Sequence, residues 1–252
     1  MPRQTTPTSK ITTYGWSTRV VGMVRRRTPD VNTSPPGASA LVDSVYEQIV
    51  GLLIDQRIAP GSPLRTEALG TELGVSATPV REALARLETT GLVDRSAHRG
   101  WRVAPPLSRN DQIKIIELRL LLEPENARQA CGRADDALRA ELAELAARQT
   151  AAPVGPDYAG YADYLKADWG FHLLIASSTG NPYLEKAFTT VSGYLQRFQL
   201  FDQHVITDAR ECTSEHGAIL DAFTRRSPEI AAAAMRDHLQ RLRDRVAAGS
   251  DS

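Results

Sequence analysis

From residue 41 onward the chain falls into hydrophobic periods that its first forty residues lack. Leu41, Val45, Ile49, Leu52 and Leu53 share one face of a helix that the Ala59-Pro60-Gly61 break closes. A shorter helix is predicted over 66–73, with Ala68, Leu69 and Leu73 inward, followed by a turn at Gly74-Val75-Ser76. Thr78 is expected as the N-cap of a third helix, with Pro79 at its first position, where a missing N–H costs nothing. Val80, Ala83, Leu84 and Leu87 form the apolar stripe of that helix, which ends before Gly91. Two short β-like runs, 92–95 and 101–104, flank Ser96-Ala97-His98-Arg99-Gly100, and Pro105-Pro106 reads as a linker.

Past the linker the strand signal disappears. Alanine- and leucine-rich helical periods cover roughly 108–131, 134–149, 161–178, 183–201, 207–225 and 228–247, with breaks at Pro153, Pro156, Pro182 and Pro228. Pro124 falls inside the first of them and is expected to kink it. The fold class is therefore mainly α: an N-terminal winged helix-turn-helix over 41–104, a linker at 105–107, and an all-α bundle over 108–247. Residues 1–40, rich in Thr, Pro and Arg, read as a disordered basic arm. A transit peptide or an over-long start, with Met23 as the true one, are the other readings of that stretch.

Composition narrows the setting. No apolar run approaches the ~18 residues of a membrane span, and there is no apolar core of a secretory signal. Two cysteines, Cys131 and Cys212, make no disulfide framework, so a reducing cytoplasm is expected. The net charge is zero, which argues against nucleic acid until it is divided along the chain. The arm carries six basic residues against one acid, the 41–107 stretch seven against eight, and the remainder 17 against 21. Any DNA binding would then rest on a few placed arginines rather than on a broad positive field.

Those arginines lie where a reading helix needs them. Arg81 points outward near the start of the third helix and Arg86 sits at the margin of its buried face. A helix N-terminus favours a phosphate, Ser76 and Thr78 offer hydroxyls to the backbone, and arginine reads guanine through O6 and N7. The hairpin tip His98-Arg99-Gly100 has the chemistry of a wing entering a minor groove. Pro60-Gly61-x-x-Leu64, Leu69, Leu73-Gly74-Val75-Ser76-Ala77-Thr78-Pro79-Val80-Arg81-Glu82-Ala83-Leu84, Leu87, Gly91-Leu92-Val93 and Arg99-Gly100-x-x-Val103 together resemble the GntR family of bacterial regulators. That resemblance implies a winged helix on a palindromic double-stranded operator, bound as a homodimer. Two positions depart from it: Ala77 replaces the arginine usual before Thr-Pro, and Arg65 replaces another polar residue and is expected on the DNA backbone.

The helical region holds a second constellation. Leu165, Asp168, His172 and Ile175 share one helical face; His216 lies with Ile219, Leu220 and Phe223, and His238 with Ala234, Met235 and Leu242. Three inward imidazoles and one carboxylate would suit a divalent ion such as zinc, with nickel or another transition metal as alternatives. An Asp–His hydrogen bond on one helix and two satisfied core histidines elsewhere explain the same spacing. His204 lacks such a phase. Asp168-Trp169-Gly170-Phe171-His172, Ser178-Thr179-Gly180-Asn181-Pro182, Glu215-His216-x-x-Ile219 and Met235-x-x-His238 resemble the ligand-binding domain of the FadR branch of GntR regulators. The resemblance implies that Asp168, His172, His216 and His238 hold the ion, and that Arg119 lines an effector pocket.

A positively charged site of that kind would attract a small carboxylate or hydroxy-acid effector. For Arg119 an outer salt bridge with Glu123, four residues on, is equally open; for Tyr161 and Tyr164, core packing is as good as pocket lining. The expected function is a metabolite-responsive transcription regulator, acting as a repressor and not an enzyme. A helical metalloenzyme and a purely structural metal are the alternatives.

Overall fold

The computed structural model describes residues 36–96, 100–155, 158–201 and 208–248. Helix α1 spans Pro36–Ile54, so the helix begins inside the stretch read as disordered: Pro36 opens it, and Ala38 and Ala40 carry it into the apolar period. Val45, Tyr46, Ile49 and Leu53 bury fully against α2 (Thr66–Leu73) and α3 (Ala77–Thr89).

The turn between α2 and α3 is tight. Gly74 caps α2 at φ 68°, and a Cβ on Gly70 would stand 2.8 Å from the Val75 carbonyl oxygen, so both positions demand glycine. Helix α3 starts two residues before the expected Pro79, with Ser76 at the N-cap and no side-chain capping bond. Thr78 is therefore the second helical residue, and Pro79 the third, still among the first-turn positions whose N–H has no helical partner. Ala68, expected inward, is exposed; the short α2 buries Thr66, Leu69 and Gly70, with Leu73 half-buried.

The wing is a three-stranded antiparallel sheet in the order β1-β3-β2, built from β1 (Pro63–Leu64), β2 (Val93–Ser96) and β3 (Gly100–Val103). Strand β1 was not foreseen; two residues carry no alternation, and it forms only because Leu64 and Pro63 meet Trp101 and Arg102. Proline tolerates this position because an edge strand leaves its nitrogen outside the ladder.

Among the described residues six helices follow: α4 (Arg109–Arg133), α5 (Asp136–Ala151), α6 (Tyr158–Ser177), α7 (Pro182–Phe201), α8 (Ala209–Thr224) and α9 (Pro228–Ala248). Ser108 and Asp135 cap α4 and α5 by accepting from the Asp111 and Leu138 backbone N–H at 3.1 and 2.8 Å. Pro124 lies buried within the single 25-residue α4. The core of the bundle gathers Ile116, Leu142, Phe171, Ile219, Phe223, Met235 and Leu239.

Helix α6 also joins the two halves. Tyr158, Tyr161, Tyr164 and Leu165 belong to the same apolar cluster as Val45, Ile49 and Leu53 of α1. Core packing, rather than pocket lining, thus accounts for Tyr161 and Tyr164. Around this seam Glu47 accepts from Tyr158 Oη and pairs with Lys166 Nζ, both at 2.9 Å, while Asp55 accepts the Tyr158 backbone N–H at 2.8 Å.

Candidate functional site

The three histidines of the bundle come together. His172 on α6, His216 on α8 and His238 on α9 are buried, and each offers a ring nitrogen within 4.8 Å of the others. The Nε2 atoms of His172 and His216 are 3.1 Å apart. Helical phase delivers each of them: Phe171, Ile219, Phe223, Met235 and Leu239 anchor the inward faces on which they sit.

The outward-turned nitrogens fix the tautomers. His238 Nδ1 donates to Glu215 Oε2 at 2.8 Å, and His172 Nδ1 lies 2.6 Å from Glu123 Oε2, an ion-pair contact off the hydrogen-bond axis. The Gln149 amide has only one sensible orientation: Asp168 can only accept, so Nε2 donates to Asp168 Oδ1 at 2.9 Å, and Oε1 therefore faces His216 Nδ1 at 2.7 Å. The Nδ1 atoms of His238 and His216 thereby keep their protons, and His172 Nδ1 faces the Glu123 carboxylate, which leaves Nε2 of each ring for the centre of the cluster. A metal-binding histidine is oriented in this way, with its second nitrogen bound to a carboxylate or amide oxygen.

Electrostatics disfavours the charged form of two of the rings. Burial depresses His216 well below histidine's ordinary value, and the charges of His238, His172 and Arg119 add to it. Burial also depresses His238, against the pull of Glu215. Burial by itself would raise Glu123, but Arg119 and His172 hold it far below the carboxylate range. Glu215 is lowered as well, because its bonds with His238 and Arg245 outweigh burial. The supporting carboxylates are thus anionic and the imidazoles free to act as ligands.

A tetrahedral zinc with bonds of ~2.05 Å wants its nitrogens about 3.3 Å apart, a spacing this cluster brackets. Asp168 sits at its margin: Oδ1 is 3.6 Å from His216 Nε2, and the side chain is 17% exposed, the most accessible of the four. Arg119 is buried, not on the outer surface, yet it does pair with Glu123 through both Nε and Nη2. A chain Arg119–Glu123–His172 therefore links the expected effector residue to the imidazoles. Glu123, Gln149 and Glu215 supply the supports; in the sequence Glu123 stands out only as a partner for Arg119, Glu215 only within a motif and Gln149 not at all, the one general signal being that such residues on apolar faces need partners. Burial and Asp168 push the Cys212 thiol up to about 12.

The DNA-facing candidates divide. Ser76 and Thr78 are exposed at the start of α3, whose first N–H groups have no side-chain cap, and Arg65 is exposed at the N-cap of α2. Arg81 is exposed and only loosely paired with Glu67, at 3.5 Å. Arg86, by contrast, turns back: it donates to Asp43 Oδ1 at 2.7 Å and lies 4.8 Å over the Tyr46 ring, so it ties α3 to α1. Gly100 opens β3 at φ 69°; His98 and Arg99, like His204, lie outside the described residues.

Two family models match the chain: "Bacterial regulatory proteins, gntR family" over residues 41–103 and "FCD domain" over 114–241. The uncharacterized HTH-type transcriptional regulator YcbG of Bacillus subtilis is 31% identical over 237 residues, covering 88% of this chain and 97% of its own. The Nta operon transcriptional regulator of Aminobacter aminovorans is 30% identical, over 77% of this chain and 89% of its own. Among solved structures, Escherichia coli McbR/YncC superposes with a TM-score of 0.62 at 22% identity, over 82% of this chain and 97% of that one.

Proposed function

The chain belongs to the GntR family of bacterial transcription regulators, with an FCD domain behind its winged helix, and on that premise we infer a metabolite-responsive repressor whose sensor binds a divalent metal. Members of the family bind DNA and are not enzymes, so the chemistry of the histidine cluster serves binding rather than turnover. In this reading the regulator grips a palindromic operator as a homodimer through α3, with Arg81 reading a base and the first turn of α3 facing phosphate.

The observation that carries the metal is the convergence of His172, His216 and His238, with the far nitrogens of His216 and His238 hydrogen-bonded to Gln149 and Glu215 and that of His172 against the Glu123 carboxylate. Zinc suits three neutral imidazoles, with Asp168 nearby for a fourth position; nickel is the main competitor. When bound, such an ion supplies a positive centre for a small carboxylate. Arg119, held next to it by Glu123, would add a second one.

Metal analysis of the gently purified chain, followed by fluorescence anisotropy on an operator with and without a panel of small carboxylic acids, tests this. About one ion per chain and acid-dependent release of DNA are expected; a metal-free protein after mild purification would refute the site. The deep burial of the three rings also suits a purely structural ion. In that case metal removal would unfold the bundle, and no acid would shift operator affinity.

A further inference from the structure

Resting on the metal-and-carboxylate reading above, we propose that Asn126 is a specificity-determining residue of the same pocket, selecting carboxylates that carry a neighbouring hydroxyl. Asn126 is 1% exposed, and neither its Nδ2 nor its Oδ1 has a hydrogen-bond partner. A buried amide with both ends unmatched is rare, and it points to a group that arrives from outside the chain.

The placement fits. Arg119, Glu123 and Asn126 stand four and three residues apart on α4, one face of one helix. Glu123 touches His172, and further on Arg133 meets Gly180, where an added Cβ would lie 2.9 Å from its Nε. Helices α4 and α6 thus run side by side in the same direction, and Asn126 stands next to the turn of α6 that follows His172. Its chain neighbour Ala127 and, one turn on, Ala130 belong to the apolar core, where an amide has no packing advantage over leucine.

The chemistry names the ligand. An asparagine offers a donor and an acceptor side by side. A hydroxyl donates to Oδ1 while an adjacent carboxylate oxygen accepts from Nδ2, so a 2-hydroxy acid satisfies both. A plain carboxylate leaves Oδ1 unmatched, and a site built to bond a hydroxyl rejects the analogue without one.

Calorimetric titration of the metal-loaded full chain with matched acids, lactate against propionate and malate against succinate, tests the assignment. The wild-type chain should bind the hydroxylated member of at least one pair about tenfold tighter or more. Asn126→Leu should keep its metal and bring that ratio close to one, weakening the hydroxylated acid about tenfold more than the plain one; if Leu does not fold, the ratio in Asn126→Ser decides. A variant that keeps the wild-type ratio, or a wild type without any preference, overturns the proposal and leaves Asn126 as the seat of a water molecule. If metal is retained but neither class of acid binds, the carboxylate reading itself has failed and this one falls with it.

Discussion

Gln149 and His216 form a mutual constraint: the amide oxygen holds the ring's Nδ1 at 2.7 Å only because the same amide's nitrogen is committed to Asp168 at 2.9 Å. One buried side chain therefore sets the tautomer of a candidate metal ligand and the position of the nearest carboxylate. Gln149→Leu should lower zinc affinity roughly 10–100-fold, as is typical when such a support is lost. Competition against a chromophoric chelator measures it; unchanged affinity would show that Gln149 does not orient the site.

Removing the metal should cost stability wherever the three Nε2 lone pairs face one another without it. Chelated wild type and His216→Ala, which opens the cluster, should both melt several degrees below the loaded protein, because ligand binding to the folded state adds directly to its stability. Readdition of zinc should restore the chelated wild type and leave His216→Ala low. Equal melting temperatures in all four samples would contradict a bound ion.

Arg81 and Arg86 should separate reading from folding. Arg81→Ala removes an exposed side chain with one weak partner, so folding should hold while operator affinity drops about tenfold or more, the ~1–3 kcal/mol of a base contact. Arg86→Ala leaves Asp43 without its donor and uncovers Tyr46, so denaturant unfolding should show a loss of about 1 kcal/mol. A stability loss in Arg81→Ala larger than that in Arg86→Ala would reverse the two assignments.

The helix-turn-helix corner should be intolerant of a single methyl. Gly70→Ala puts a Cβ 2.8 Å from a backbone oxygen that cannot swing aside, and a cost of roughly 1–3 kcal/mol is expected. Alanine ordinarily stabilises a helix interior, so a gain measured by urea unfolding would show that this turn is looser than the contact requires.

The seam between the halves predicts how the chain melts. Because α1 and α6 share one apolar cluster, with Glu47 bonded to both Tyr158 and Lys166, calorimetry should show one cooperative transition. Tyr158→Ala should split it in two. A wild type that already melts in two steps would mean that the seam does not couple the domains.

Much of this was legible before any coordinates. The stripe Val80, Ala83, Leu84 and Leu87 has one period and one burial outcome, all at 0% exposure, and the three bundle histidines are buried as their faces predict, although Leu220, Ala234 and Leu242 on those faces are only partly covered. What stayed hidden depends on distant chain segments. Nothing near Gln149 announces His216, 67 residues away, and nothing near Glu215 announces that its partner is His238, 23 residues on, rather than its neighbour His216. Arg86 looked marginal because Asp43, 43 residues upstream, was not in view. Strand β1 exists only through its pairing with β3, and no local pattern of two residues encodes that.

Helix α6 has one further implication. It runs unbroken through 20 residues, with Tyr158 docked on α1 near one end and His172 in the cluster toward the other. The 14 residues between them span about 21 Å at ~1.5 Å per residue. A hydrogen-bonded helix resists shortening, so it behaves as a pushrod. An axial shift of His172 reaches Tyr158 at nearly full stroke, and through Glu47 and Asp55 it reaches the first helix of the DNA-reading half.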